Sequence, residues 1–89
     1  SKPNTDIDSL AEELPAPQNE DREESMALWQ AVRGLGESLR TVTVLFYYDD
    51  MPIKDISRAL GITEGTVKAR LSRARAKLRI AMSEREETL

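Results

Sequence analysis

Ile53-Lys54-Asp55-Ile56-Ser57-Arg58-Ala59-Leu60-Gly61-Ile62-Thr63-Glu64-Gly65-Thr66-Val67-Lys68-Ala69-Arg70-Leu71-Ser72-Arg73-Ala74-Arg75-Ala76-Lys77-Leu78 decides how the rest of the chain reads. Ile53, Ile56 and Leu60 give a short helix its buried face, and Gly61 stops it. Ile62 plugs the corner, and Thr63 stands where an N-cap belongs. Beyond it Val67, Leu71, Ala74 and Leu78 repeat at i, i+4, i+7 and i+11, one narrow apolar stripe on a longer helix. A short helix, a glycine turn and a capped, basic second helix spell a helix-turn-helix, whose second helix enters a DNA major groove.

The basic helix has a defined geometry. At about 100° per residue, Gly65, Lys68, Ala69, Ser72, Arg73, Ala76 and Arg79 fall opposite the apolar stripe. Lys68 and Arg73 are long donors set around the small Ala69 and Ser72. Small residues let a helix sit deep in a groove, and the long donors reach guanine O6/N7 or phosphates. Thr66, Arg70, Arg75 and Lys77 point sideways, toward the phosphate walls. The free N–H groups at the starts of both helices add anion contacts. Lys and Arg on an amphipathic helix often do no more than keep it wet. Here a nearly acid-free basic face sits on the capped second helix of such a motif, and that combination favours nucleic-acid binding.

Whole-chain charge hides this. The 89 residues carry 13 Lys and Arg against 16 Asp and Glu, a net charge of −3. Residues 54–79 hold Lys54, Arg58, Lys68, Arg70, Arg73, Arg75, Lys77 and Arg79 against Asp55 and Glu64. The start reverses the balance, with Asp6, Asp8, Glu12, Glu13, Glu20, Asp21, Glu23 and Glu24 against Lys2 and Arg22. A basic segment behind an acidic one is the footprint of a nucleic-acid binder with an acidic tail.

Cysteine and histidine are both missing. No disulfide, Cys-based zinc site or usual general base is available, so no catalytic group, metal or cofactor is assigned. No apolar run approaches the roughly 20 residues a membrane span needs, and no signal-peptide pattern opens the chain; the expected location is cytoplasmic.

Outward from the motif, the pattern predicts an all-α domain of four helices, near 20–34, 37–48, 53–60 and 64–83. Residues 1–19, with Pro3, Pro15 and Pro17, read as an acidic linker. Ile7, Leu10 and Leu14 within it share helical spacing, but so short a helix is marginal in water. The start at Ser1 rather than Met is expected of a piece of something longer. Asn19 is placed to cap the first helix, whose stripe is Leu28, Val32 and Leu35 with Trp29 on its flank, and Gly34 and Gly36 end it. In the second segment Thr41-Val42-Thr43-Val44 alternates like a strand, and Phe46-Tyr47-Tyr48 adds strand-favouring aromatics. Leu39, Val42, Leu45 and Phe46 fit a helix equally well, and a lone strand would leave its backbone groups unpaired, so a helix is expected. Pro52 marks the third helix start. Residues 84–89 read as a frayed tail. The core is expected to hold Leu28, Val32, Leu39, Val42, Leu45, Phe46, Ile56, Leu60, Ile62, Val67, Leu71 and Leu78. Met26, Trp29, Tyr47 and Tyr48 exceed what so small a core hides, and Met26 and Trp29 in particular are expected on a partner surface.

Residues 35–79 resemble region 4, the promoter-recognition domain, of bacterial sigma factors of the extracytoplasmic-function group. The resemblance rests on Leu39-Arg40-Thr41-Val42 with Leu45, on the run from Ile53 to Ile62, and above all on Gly65-Thr66-Val67-Lys68-Ala69-Arg70-Leu71-Ser72-Arg73-Ala74-Arg75-Ala76-Lys77-Leu78-Arg79. LuxR-type regulators, the alternative helix-turn-helix class, share the Thr-Val-Lys but usually lack the Arg-Ala-Arg and place a His near Arg70. The family commonly has Leu-Pro at Leu35-Gly36 and often a Ser cap at Pro52.

The resemblance implies recognition of the promoter −35 element within RNA polymerase holoenzyme. It also implies binding to the flap of the polymerase β subunit and masking by an anti-sigma factor. By position in the motif, Lys68, Ala69, Ser72 and Arg73 would face bases, while Arg40, Lys54, Thr66 and Arg70 would meet the DNA backbone. The family's region 2 would lie upstream, making residues 1–19 the connection between two domains.

Overall fold

The computed structural model describes residues 22–88. The expected linker over 1–19 and the Asn19 cap lie outside them. Among the described residues there are four α-helices and no strand: α1 (Arg22–Arg33), α2 (Glu37–Thr43), α3 (Ile53–Leu60) and α4 (Glu64–Thr88), with a π-helical turn, Val44–Tyr48, continuing α2. The segment that alternates like a strand is therefore helical.

Two boundaries differ from expectation. A regular helix was expected over 37–48, but from Val44 the backbone widens, and the Asp49 N–H donates to the Val44 carbonyl at 3.0 Å, an i→i+5 bond. Three bulky residues in a row explain it. In a regular α-helix Leu45, Phe46 and Tyr47 sweep over half the circumference, whereas a π turn advances less per residue and keeps all three near the core. Asp50 then takes the left-handed backbone at φ 56°, a region Asp tolerates better than most residues. The second difference is at the C-terminus. Helix α4 was expected to end near Ser83 and fray over 84–89, but it runs on to Thr88. No Gly or Pro follows Gly65, and Glu84, Arg85, Glu86 and Glu87 are good helix formers, so nothing in the sequence stops it.

At about 1.5 Å per residue α4 is nearly as long as the domain itself, whose longest extent is 40 Å. It is the spine of two apolar clusters. One gathers Leu28 and Val32 of α1, Leu35, Leu39 of α2, and Ala74 and Leu78 of α4. The other gathers Val42 of α2, Ile53 and Ile56 of α3, and Val67 and Leu71 of α4. Tyr47 packs against both. Of the expected core, Leu45 and Phe46 in the π turn, Leu60 at the end of α3 and Ile62 in the turn after it are half-buried, packed at the rim of the second cluster. Thr43 is fully buried without having been expected there; its hydroxyl donates to the Leu39 carbonyl at 2.7 Å, which satisfies it.

Tyr47 is the exception to polar satisfaction. Its hydroxyl is buried with no hydrogen-bond partner among the described residues, and burial pushes the phenol up to about 12. A phenol ionising near 10 unfolded but near 12 folded stabilises fully below pH 10, and its contribution is lost as pH rises to 12. Tyr48 is shifted in the same direction by partial burial. Tyr47→Phe removes a buried, unbonded hydroxyl, so it should stabilise the domain by about 1 kcal/mol at pH 7. Urea unfolding repeated from pH 9 to 12 should show a shallower alkaline loss for the variant than for the parent.

Candidate nucleic-acid interface

The helix-turn-helix forms where the motif places it. Helix α3 starts after Pro52, whose φ −65° and ψ 153° deliver the chain into it. It ends at Gly61, left-handed at φ 70°, where the Gly61 and Ile62 N–H groups both donate to the Ser57 carbonyl, at 2.9 and 3.1 Å. This is a Schellman-type stop, and it requires the backbone freedom of glycine. Two residues on, Thr63 caps α4: its Oγ1 accepts the Thr66 N–H at 3.1 Å and shares a 2.9 Å hydrogen bond with the Thr66 hydroxyl. Stop and start lie three residues apart, so the angle between the helices is set by backbone bonds. Ile56, Val67 and Leu71, all buried, then lock it.

The stripe Val67, Leu71, Ala74 and Leu78 is fully buried, which fixes the rotation of α4. Ala69, Ser72, Arg73, Ala76, Lys77 and Arg79 are exposed, and Lys68 and Arg70 flank the face half-buried. From Gly65 to Ala81 the helix carries six bases and no acid. Stability alone would set acids in the first turns, at the positive end of the helix dipole, yet only Glu64 obeys. Lys68 and Arg70 go against this local preference.

The flanking candidates divide. Lys54 is exposed at the start of α3, on the same motif. Thr66 is half-buried with its hydroxyl bonded to Thr63. Arg75 is half-buried, its Nε shielded from solvent, so Lys77 is the more accessible of the two. Arg40 is half-buried, and its guanidinium donates to the Leu35 carbonyl at 3.2 Å, tying α2 to the turn before it. Sequence spacing gave no sign of that second duty.

Away from the basic face, α1 and the π turn expose an apolar patch: Met26 is 60% accessible, Trp29 39% and Tyr48 38%. Trp29 and Tyr48 meet edge to face, with ring centroids 5.0 Å apart. Tyr47, expected beside them, faces inward instead because the π turn rotates it onto both clusters. Among the described residues no helix is long and apolar enough to cross a membrane, and no acidic cluster has the form of a metal site.

The family model for Sigma-70, region 4, matches residues 25–78, from within α1 through α2 and α3 and along α4 as far as Leu78. The chain belongs to the Sigma-70 region 4 family. It is 37% identical over 79 residues to the RNA polymerase sigma-E factor of Streptomyces antibioticus, covering 84% of this chain and 44% of that protein. It is also 34% identical over 79 residues to the sigma-E factor of Streptomyces avermitilis, with 84% and 44% covered. With the sigma-E factor of Streptomyces coelicolor it shares 36% identity over 72 residues, covering 76% and 41%. The chain thus spans less than half the length of these curated relatives. No solved structure matches it significantly. The resemblance to the region 4 domain of an extracytoplasmic-function sigma factor is borne out, and the LuxR-type alternative gives way to it.

At the family's Leu-Pro position, Gly36 adopts φ −62° and ψ 159°, backbone that suits a proline, so this departure leaves the start of α2 unchanged. The two glycines of the motif should respond oppositely to substitution. Gly61→Ala forces a Cβ into left-handed backbone and should cost about 1–2 kcal/mol. Gly65 lies in the first turn of α4, where an added Cβ meets only Thr63 Oγ1 at an ordinary 3.9 Å. Gly65→Ala should therefore stabilise by about 0.4–1 kcal/mol. Denaturant midpoints of the two variants, one below and one above the parent, check this.

Proposed function

We infer that this domain reads the −35 element by laying the first half of α4 in the major groove, with Lys68, Ala69, Ser72 and Arg73 toward the base edges. The observation that carries this reading is the acid-free basic face of α4, centred on small residues and held in rotation by a fully buried opposite stripe. Arg73 and Lys68 supply the donors that distinguish guanine, while Ala69 and Ser72 allow close approach. Lys54, Arg70 and Lys77 bind phosphate and set the register, Thr66 approaches the backbone from the flank, and Arg75 contributes charge with its stem held against the domain. Arg40 serves the backbone through the guanidinium N–H groups that the Leu35 carbonyl leaves over.

One recognition helix without a second half-site binds DNA weakly. Tethering to the polymerase and to the rest of the sigma factor raises the effective concentration and supplies what the domain lacks. The exposed Met26, Trp29 and Tyr48 suit an apolar partner, and the β flap of the polymerase is assigned to this face. An anti-sigma factor that covers the patch, the basic face or both would hold the domain inactive. The work of the domain would lie in the cytoplasm, where the polymerase is.

Arg73→Ala and Lys68→Ala should each weaken binding to a −35 duplex by about 1–3 kcal/mol and relax base preference. Lys77→Ala should weaken all duplexes alike and reduce the salt slope by about one. Fluorescence anisotropy across a set of single-base duplex variants at several salt concentrations separates the two behaviours. Equal loss for all three variants on every duplex would remove Lys68 and Arg73 from base readout.

A pull-down with the isolated β flap tests the partner face. Folded Trp29→Ala should lose the flap and Arg73→Ala should keep it; the reverse pattern would refute the assignment of the patch.

A further inference from the structure

Ala69 occupies the point on α4 that a groove floor would meet first. It is exposed and lies almost directly opposite the buried line of Val67, Leu71, Ala74 and Leu78, with Ser72 and Arg73 to either side of it. It also stands in the second turn of the helix, among the N-terminal residues that reach base edges in helix-turn-helix proteins. The other exposed apolar residues on the same line, Ala76 and Ile80, follow roughly 10 and 16 Å farther along the axis, beyond those turns.

Contact with DNA strips water from the Ala69 methyl and from whatever base edge faces it. A methyl group offers no hydrogen bond in exchange, so a base edge that presents only donors and acceptors there loses water without compensation. In the major groove thymine alone adds an apolar group, its C5-methyl, to that polar pattern. Against Ala69 a thymine methyl therefore buries apolar surface on both partners and leaves no polar atom stranded. Arg73 sits one turn on, about 6 Å along the axis, which is close to two base-pair steps of roughly 3.4 Å.

We propose that Ala69 is a specificity-determining residue that selects thymine, by apolar contact with its C5-methyl, within about two base-pair steps of the guanine read by Arg73. The proposal rests on the reading of α4 as the base-reading helix and deepens it. It names the chemistry at the centre of the interface, where Lys68 and Arg73 account only for hydrogen-bond donors at its flanks. Removing the methyl of that thymine weakens binding about three- to fourfold, the value of one buried methyl group. The contact is apolar, so salt does not screen it as it screens the phosphate contacts.

The test uses the full chain to select duplexes from a library whose randomised core is about one helical turn long, in dilute salt where the basic face binds most tightly. Each thymine of the preferred duplex is then replaced singly by deoxyuridine, which lacks only the C5-methyl, and affinities are read by fluorescence anisotropy. One thymine, within about two steps of the guanine whose preference Arg73→Ala relaxes, should show the loss of about three- to fourfold, undiminished by added salt. In Ala69→Gly that loss should vanish. Ala69→Ser, which keeps a side chain on the helix and sets a hydroxyl against the base, should abolish it too, while Ala76→Gly should leave it unchanged. The proposal is overturned if deoxyuridine is harmless at every thymine, or if its penalty survives in both Ala69 variants or answers to Ala76→Gly instead. The response to Arg73→Ala decides guanine readout separately. If the library yields no preferred duplex, base readout by α4 fails, and the assignment of Ala69 falls with it.

Discussion

The stripe Val67–Leu71–Ala74–Leu78 is the constraint on which the rest of the molecule depends. Its two upper members close the cluster shared with α3, and its two lower members close the cluster shared with α1. One helix therefore holds both halves of a small domain and also carries the basic face on its reverse. Any rotation of α4 about its axis would open both clusters at once. The direction in which Ala69, Ser72 and Arg73 point is thus fixed by burial on the far side, so the exposed face of α4 is pre-organised by the core.

The lower half of the molecule has a different character. Helix α1, α2 and the π turn bury enough to hold α4 from one side, yet leave Met26, Trp29 and Tyr48 in contact with water. The π turn is the device that separates the two tasks. It turns Phe46 and Tyr47 to the core, ring against ring at 4.9 Å, and leaves Tyr48 outside to meet Trp29. The exposed apolar patch and the basic face thus lie on different elements joined through a shared core.

Much of this was legible from residue pattern because the signals were stereochemical. Gly61 is where only a left-handed residue closes α3, Thr63 is where an oxygen must cap α4, and the spacing of Val67, Leu71, Ala74 and Leu78 admits only one face. What escaped the pattern was cooperative. The π turn arises from crowding among three consecutive large side chains, and no two-residue preference announces it. Burial of Thr43 depends on its own bond back to Leu39, and the tie from Arg40 to Leu35 depends on how α2 leaves the turn. The extension of α4 to Thr88 was visible in composition, in that no breaker follows Gly65, but the charge run there read as a tail. At the site the exposure of Ala69, Ser72 and Arg73 followed from helix rotation alone. The ranking of Lys77 over Arg75 required knowing which guanidinium lies against the domain.

Position-specific crosslinking in a promoter complex tests the central claim, that the face of α4 opposite its buried stripe is the one that reads DNA. A photoreactive side chain placed at Ser72 should attach to bases of the −35 element, and the same probe at Met26 should attach to protein and leave the DNA unmodified. Crosslinks to DNA from Met26, with none from Ser72, would contradict the account.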